Sequence, residues 1–173
     1  MTRAIAMNQD LQIVGFRIGR EMFGVPISLV REVIRVPQIT AVPDAPGYIE
    51  GVINLRGKIV PVIDLGKKLG ISGEQQPQRA NRIIVAEIGD RPVGLIVHSA
   101  SEVLRISATE IQAPREVFTE AGMDYISGVG KLHGRLVILL DLQKIVPRTE
   151  LRTVGQTPGT LVTVDAGHRS PSA

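Results

Sequence analysis

Histidine and cysteine are the residue types that most often bind metals or act as nucleophiles, and this sequence does not group them. The three histidines, His98, His133 and His168, are separated by intervals of 35 residues, and no His-x-x-x-His or similar ligand pair is present. The 173 residues contain no cysteine, which excludes disulfides, thiolate metal ligands and cysteine nucleophiles. We therefore predict no metal site.

Carboxylates are the remaining candidates for acid–base chemistry, and they recur in a way that favours structural roles. Glu32 and Asp64 in the first half have counterparts, Glu102 and Asp141, in the second half. A catalytic pair needs to occur only once, whereas helix caps and strand ion pairs recur with the fold. The sequence also lacks the phosphate-loop pattern and the Gly-x-Ser-x-Gly nucleophile pattern. We predict a protein without catalytic residues, which is not an enzyme.

Composition indicates a globular protein with a small excess of positive charge. Hydrophobic residues make up 43% and charged residues 21%, and the net charge is +3. No apolar run approaches the roughly 18 residues that span a bilayer, and the first ten residues lack a signal-peptide core, so a cytosolic protein is expected.

The alternative function is nucleic-acid binding by a small β-barrel. The chain has only five aromatic residues and no block of more than two basic residues, which disfavours it.

The chain is a duplicated unit. Residues 48–69 align with residues 125–146 at an offset of 77, and ten of the 22 positions are identical. Upstream, residues 18–27 and 30–35 parallel residues 88–97 and 100–105 at an offset of 70. Because the segments occur in the same order, we interpret them as two structural repeats, about residues 11–71 and 82–148. A polar linker, residues 72–81, joins them.

Each repeat is predicted to be built from β-hairpins. Residues 11–18 and 23–27 flank one turn, residues 81–88 and 91–97 flank its counterpart, and Arg56-Gly57 is the turn of a second hairpin. The runs at residues 59–63 and 136–140 are almost wholly apolar, so both faces of these strands should be covered. Pro61 indicates an edge position or a bulge. Asp64 and Asp141 are predicted to cap short helices.

Short strands at this spacing favour a small barrel that is built twice. A unit of about 60 residues buries its own core only marginally, so we expect the two barrels to pack against each other. Residues 1–10 are expected to be flexible, residues 11–148 to form the ordered domain, and residues 149–173 to be a mostly disordered tail that is rich in Gly, Ser, Thr and Pro.

Surface residues then become the candidates for function. Arg56 lies in a turn between two apolar strands, which would hold it rigidly for binding, although an ordinary solvated arginine fits the pattern equally well. Alternation places Glu32 on the same face of its strand as Val30 and Ile34. Glu32 is therefore either a binding residue or part of a half-buried ion pair.

Residues 45–65, APGYIEGVINLRGKIVPVIDL, closely resemble the signature of CheW-like chemotaxis coupling proteins. The runs GVPI at 24–27, VREVI at 30–34, VGLIV at 93–97 and EVL at 102–104 support the resemblance, which covers residues 11–148. It implies a mainly β fold of two SH3-like five-stranded barrels packed together, with short helices. It also implies a non-enzymatic signal-transduction adaptor, without cofactor or metal, that works in the cytoplasm at membrane-associated receptor arrays. The implied partners are the cytoplasmic tips of methyl-accepting chemoreceptors and the regulatory domain of the histidine kinase CheA.

Two features qualify the resemblance. Related sequences usually have an aspartate where this chain has His98, which puts a polar contact at that position in doubt. The same domain occurs inside CheA and fused to a receiver domain in CheV. At 173 residues the chain is too short for either fusion, so a stand-alone coupling protein is expected.

The resemblance also implies two binding surfaces. The receptor's helical hairpin is predicted to lie in the groove between the barrels, contacting Glu32, Arg56, Ile59, Gly94 and Val103. The regulatory domain of the kinase, which itself resembles CheW, is predicted to dock barrel to barrel through Gln112, Glu116, Val117 and Phe118. An alternative for Phe118 is that it fills the core of its own barrel.

Overall fold

Eleven β-strands and two short α-helices are formed by the residues that the computed structural model describes, which are 10–71, 78–113 and 124–146. The strands are β1 (Asp10–Ile18), β2 (Glu21–Pro26), β3 (Val30–Arg35), β4 (Ile49–Leu55), β5 (Lys58–Asp64), β6 (Arg82–Ile88), β7 (Arg91–Val97), β8 (Ser99–Ser107), β9 (Ile111–Gln112), β10 (Ile126–Leu132) and β11 (Arg135–Leu140). The helices are α1 (Leu65–Leu69) and α2 (Leu142–Ile145), and single 3-10 turns span Ile27–Leu29, Gln78–Ala80 and Ala108–Glu110. None of the described helices is long and apolar enough to cross a membrane.

The predicted hairpins and helix caps are confirmed. β1 pairs with β2, β4 with β5, β6 with β7 and β10 with β11, each antiparallel. Asp64 accepts a hydrogen bond from the backbone N–H of Lys67 at 3.1 Å, and Asp141 accepts one from Gln143 at 3.1 Å. These carboxylates satisfy backbone donors that the first turn of a helix leaves unpaired.

The strands exchange between the two repeats. The first sheet, here called barrel 1, has the order β8-β1-β2-β11-β10-β9, and the second, barrel 2, has the order β3-β6-β7-β5-β4. Barrel 1 therefore takes two strands from the first repeat and four, including the two-residue β9, from the second, whereas barrel 2 takes three strands from the first repeat and two from the second. The mainly β fold of two SH3-like barrels is confirmed, but one repeat does not form one barrel. Since each repeat alone would bury little surface, the exchange gives both barrels a shared core.

The hydrophobic core has three parts. The largest contains residues of both sheets, such as Phe16 and Val25 of barrel 1 with Ile84 and Leu95 of barrel 2, and so lies between the barrels. Barrel 2 encloses its own cluster of Ile53, Val60, Val62, Ile83, Val85 and Ile96, and barrel 1 encloses Ile13, Ile106, Val137 and Leu139. Successive side chains of one strand thus enter different clusters, because they point to opposite faces of the sheet.

The apolar runs at 59–63 and 136–140 are covered on both faces, as predicted, except at their first residues. Ile59 is 64% exposed and Leu136 is 60% exposed. These two residues occupy equivalent positions in the repeats. Pro61 does not lie on an edge strand, because β5 runs between β7 and β4 and Pro61 pairs with Val52 of β4. The missing N–H is tolerated because the pairing of β5 with β7 begins only at Val62.

A glycine allows barrel 2 to close. Beyond β3, the backbone of Thr40 exchanges two hydrogen bonds with Val52 of β4, at 2.9 and 2.8 Å. Gly51 lies at this contact with a φ of 146°, and a Cβ there would lie 2.0 Å from the carbonyl oxygen of Thr40. At its counterpart Gly128 a Cβ would lie 2.9 Å from the side chain of Ile111 and 3.3 Å from the carbonyl oxygen of Gln112 in β9. A neighbouring strand therefore leaves little room for a side chain in either repeat, and at Gly51 the obstacle is the backbone itself.

Candidate partner-binding surface

An ion pair joins the two edges of barrel 2. Glu32 lies on β3, and Arg56 lies in the turn between β4 and β5, so the two residues belong to opposite ends of the strand order. The guanidinium contacts both carboxylate oxygens, with Nη1 to Oε2 at 2.5 Å and Nη2 to Oε1 at 2.7 Å. A bidentate pair of this kind fixes the orientation of both groups. It therefore acts as a clasp that holds the turn against β3.

The turn that carries Arg56 is tightly defined. Arg56 and Gly57 both have positive φ, 51° and 83°, as in the type I′ turns that join two twisted strands. The side chain of Asn54 accepts a hydrogen bond from the N–H of Gly57 at 2.9 Å. His133 and Gly134 adopt the same conformation in the second repeat. The turn thus presents a side chain in a fixed direction, and 71% of the Arg56 side chain remains exposed.

The ion pair shifts the pKa values of both groups. The hydrogen bond from Arg56, assisted by its charge, holds the pKa of Glu32 below its usual value against a smaller opposing effect of burial. The same hydrogen bond raises the pKa of Arg56. Because the pKa of Glu32 is lower in the folded protein, the pair stabilises the fold above the ordinary glutamate pKa. That contribution disappears as the pH falls through the lowered value.

The pKa of the Glu32 carboxyl should show whether the clasp forms in solution. In a pH titration followed by NMR, its pKa is expected below the ordinary glutamate value. In Arg56→Gln the pKa of Glu32 should rise towards the ordinary value, because the charge and the bidentate contact are lost. An unchanged Glu32 pKa in the variant would show that the ion pair does not form in solution.

The other residues of the predicted receptor set lie at different places. Ile59 projects from β5, three residues after Arg56 and on the same hairpin. Val103, 52% exposed, lies on β8 of barrel 1. Gly94 is buried in β7, where a Cβ would lie 2.9 Å from Ile83, so it can influence the surface only through the packing beneath it. The structure thus joins Glu32 to Arg56, places Ile59 on the hairpin that carries Arg56 and places Val103 on the other barrel.

The predicted kinase set is described only in part. Gln112 is the exposed last residue of β9, and it pairs with Val129 of β10. A small cleft of about 80 Å³ lies next to it, lined by Thr109, Glu110, Gln112, Val129, Lys131 and Leu136. Glu116, Val117 and Phe118 lie outside the described residues.

A cleft beside the clasp was not predicted from the sequence. It has a volume of about 230 Å³ and is lined by Arg31, Glu32, Leu55, Arg56, Lys58, Val60, Val85 and Pro92. These residues come from five strands and a turn, so no local pattern could have brought them together. Arg31 also forms an ion pair with Glu87 of β6.

His98 makes a polar contact, which the sequence left in doubt. Its side chain is buried, and Nδ1 accepts a hydrogen bond from the backbone N–H of Gly19 at 2.6 Å. The backbone N–H of His98 donates to the carbonyl of Arg17 at 3.0 Å. His98 therefore ties the end of β7 to the β1–β2 turn, and so joins the two barrels.

Removing the imidazole should destabilise the protein. His98→Ala leaves the buried N–H of Gly19 without its acceptor, which costs about 1–3 kcal/mol. His98→Asn should lose less, because its side-chain oxygen can accept the same hydrogen bond. Urea unfolding of the three proteins tests this, and equal midpoints for Ala and Asn would show that the hydrogen bond contributes nothing.

No group of three potential metal ligands is found within residues 10–71, 78–113 and 124–146. The features that the structure presents are instead exposed charged and apolar side chains on two barrels, held by rigid strands and turns. Such a surface suits the binding of macromolecules.

Comparison with known proteins identifies the class. A sequence model of the CheW-like domain matches residues 12–150. The chain is 37% identical over 138 residues to a chemotaxis protein CheW of Thermotoga maritima, which covers 80% of this chain and 89% of the relative. It is 35% identical to that of Klebsiella aerogenes, covering 80% and 83%. A crystal structure of the scaffolding protein CheW from Thermoanaerobacter tengcongensis aligns with a TM-score of 0.72 and 37% identity, covering 79% of this chain and 92% of that one.

The duplicated β fold and these relatives define the class as chemotaxis proteins with a CheW-like domain. The chain belongs to the CheW-like family.

Proposed function

We propose that this protein is a non-enzymatic adaptor that couples methyl-accepting chemoreceptors to the histidine kinase CheA. The observation that carries the proposal is the family membership across residues 12–150, nearly the whole described chain. The protein would act in the cytoplasm, at receptor arrays that are associated with the membrane. The nucleic-acid-binding alternative gains no support from any feature of the described surface.

The receptor contact is proposed to straddle the two barrels. Ile59 of barrel 2 and Val103 of barrel 1 offer exposed apolar side chains, and the clasp of Glu32 and Arg56 adds a charged rim. An amphipathic helix binds such a surface with apolar anchors and uses charges at the rim for orientation. The receptor's helical hairpin would therefore lie along the groove between the barrels.

The kinase contact is proposed at the β9 end of barrel 1. Gln112 borders the small cleft there, and Leu136 adds exposed apolar surface. Glu116, Val117 and Phe118 complete the proposed contact. Because the kinase's regulatory domain resembles this protein, the two would dock barrel to barrel with approximate two-fold symmetry.

The proposed mechanism is mechanical coupling. The core shared between the barrels makes them one packed body, so a partner on one surface is held in a defined position relative to a partner on the other. Single contacts of about micromolar affinity suffice, because linked contacts raise the effective concentration of each partner.

Co-sedimentation tests the proposal. The full chain should sediment with membranes that carry chemoreceptors, and more strongly when the CheA regulatory domain is also present. A chain that sediments with neither would contradict the proposal. Binding to DNA or RNA that weakens steeply with salt would favour the nucleic-acid alternative instead.

A further inference from the structure

We propose that the cleft beside the clasp, lined by Leu55, Val60, Val85 and Pro92 beneath a charged rim, receives one aliphatic side chain of the receptor's helical hairpin. A carboxylate next to that side chain on the receptor would pair with Lys58. This inference rests on the proposed function, since it names the receptor as the partner.

The floor of the cleft is the end of barrel 2's own core. Val60 and Val85 are each 1% exposed and belong to the cluster inside barrel 2, and Leu55 packs against that cluster. A side chain that enters here would extend an existing apolar core rather than cover an isolated patch. Burial of this kind is what makes a few central residues dominate the affinity of an interface.

The size of the cleft favours a side chain over a small molecule. Pockets for cofactors and drug-sized ligands usually have volumes of about 300–1,000 Å³. The cleft measures about 230 Å³. The side chain of Arg56 at its rim is 71% exposed, so a residue on a helix surface can reach the cleft without opening the barrel.

The charges at the rim indicate an acidic neighbour. Arg31 is paired with Glu87, and Arg56 is paired with Glu32. Lys58 forms no ion pair with any of the described residues and is exposed. One positive charge at the rim thus remains uncompensated. A carboxylate on the partner complements it, and such complementarity sets the orientation of a bound segment.

The second repeat supplies matched positions for a test. Leu132, Arg135 and Val137 correspond to Leu55, Lys58 and Val60 at the offset of 77. The position that corresponds to Val85, at the offset of 70, is Gly15, over which the side chain of Leu104 lies. Within the described residues, Glu102 and His133 do not form the ion pair that Glu32 and Arg56 form. The equivalent surface of barrel 1 therefore differs from the cleft both in its apolar lining and in the ion pair at its rim.

Two pairs of variants of the full chain test the proposal by calorimetric titration with a purified receptor cytoplasmic hairpin. Leu55→Phe fills the cleft from within, and Lys58→Glu repels the carboxylate. Each should weaken binding by about tenfold, whereas Leu132→Phe and Arg135→Glu should bind within about twofold of wild type. Thermal unfolding of each variant shows whether it is folded.

Methyl NMR of the wild-type protein gives a second readout that needs no variant. Addition of the receptor hairpin should shift the methyl signals of Val60 and Val85, whereas a partner that lies only on the rim would leave them unchanged. The methyl signals of Val137 should not shift.

If wild type binds the hairpin, but these signals do not shift and Leu55→Phe binds with wild-type affinity, the cleft is not used and the proposed function stands. If Val60 and Val85 respond only to the kinase's regulatory domain, the receptor assignment is overturned. If wild type binds neither protein, the proposed function itself fails.

Discussion

Reversal of the charge at Arg56 is expected to weaken receptor binding by more than about tenfold, with the fold and kinase binding retained. The substitution Arg56→Glu replaces the bidentate contact by two carboxylates facing each other, so the clasp between β3 and the β4–β5 turn is lost. The side chain is largely exposed, which is why the fold should survive. Co-sedimentation with receptor-containing membranes and a separate titration with the CheA regulatory domain measure the two contacts.

Two controls separate a direct contact from an effect on the turn. His133→Glu places a carboxylate at the equivalent turn position of the other repeat, with the same backbone conformation, and should leave receptor binding unchanged. Glu32→Arg combined with Arg56→Glu restores an ion pair of reversed polarity. If Arg56 contacts the receptor, this double variant should remain defective. Wild-type binding by Arg56→Glu alone would show that the receptor surface lies elsewhere.

The substitution Gly51→Ala is expected to cause the largest loss of stability among the changes considered. Its Cβ would lie 2.0 Å from the carbonyl oxygen of Thr40, and the backbone φ of 146° is strained for any side chain. Strain and overpacking each cost about 1–3 kcal/mol, and relief by movement would break the two hydrogen bonds between Thr40 and Val52. Denaturant unfolding should therefore show a loss of about 2–4 kcal/mol.

Gly47 provides the matched control. A Cβ at Gly47 meets no atom within 4 Å, so Gly47→Ala should change stability by less than about 0.5 kcal/mol. Gly128→Ala should lie between the two, because its Cβ would press on the movable side chain of Ile111 at 2.9 Å, with the carbonyl oxygen of Gln112 farther away at 3.3 Å. Equal stability of Gly51→Ala and Gly47→Ala would mean that barrel 2 does not close through Thr40 and Val52.

Local features of this fold were predictable from the sequence. The hairpins and the caps at Asp64 and Asp141 depend on residues within a few positions of each other, so strand alternation and turn chemistry were enough to predict them. The duplication made each prediction stronger, because the same pattern occurs twice. Glu32 and Arg56 were recognised as candidates, but the pattern of each left an ordinary surface role equally open.

Long-range features were not predictable from these patterns. Two similar repeats can pair their strands within a repeat or between repeats, and the alternation of apolar residues is the same in either arrangement. The exchange of strands therefore becomes visible only in the sheet order, and so does the contact of Arg56 with Glu32 between the two ends of the barrel 2 order. The cleft depends on five strands and could not be found for the same reason. The burial of Gly94 likewise follows from its central place between β5 and β6.

The central claim is that the protein works by holding receptor and kinase together, and kinase autophosphorylation tests it most directly. The assay compares CheA with receptor alone, with this protein alone and with both, and then repeats the complete mixture with Arg56→Glu. Coupling predicts strong activation only in the complete mixture with the wild-type protein. Full activation without receptor, or equal activation by wild type and Arg56→Glu, would contradict it.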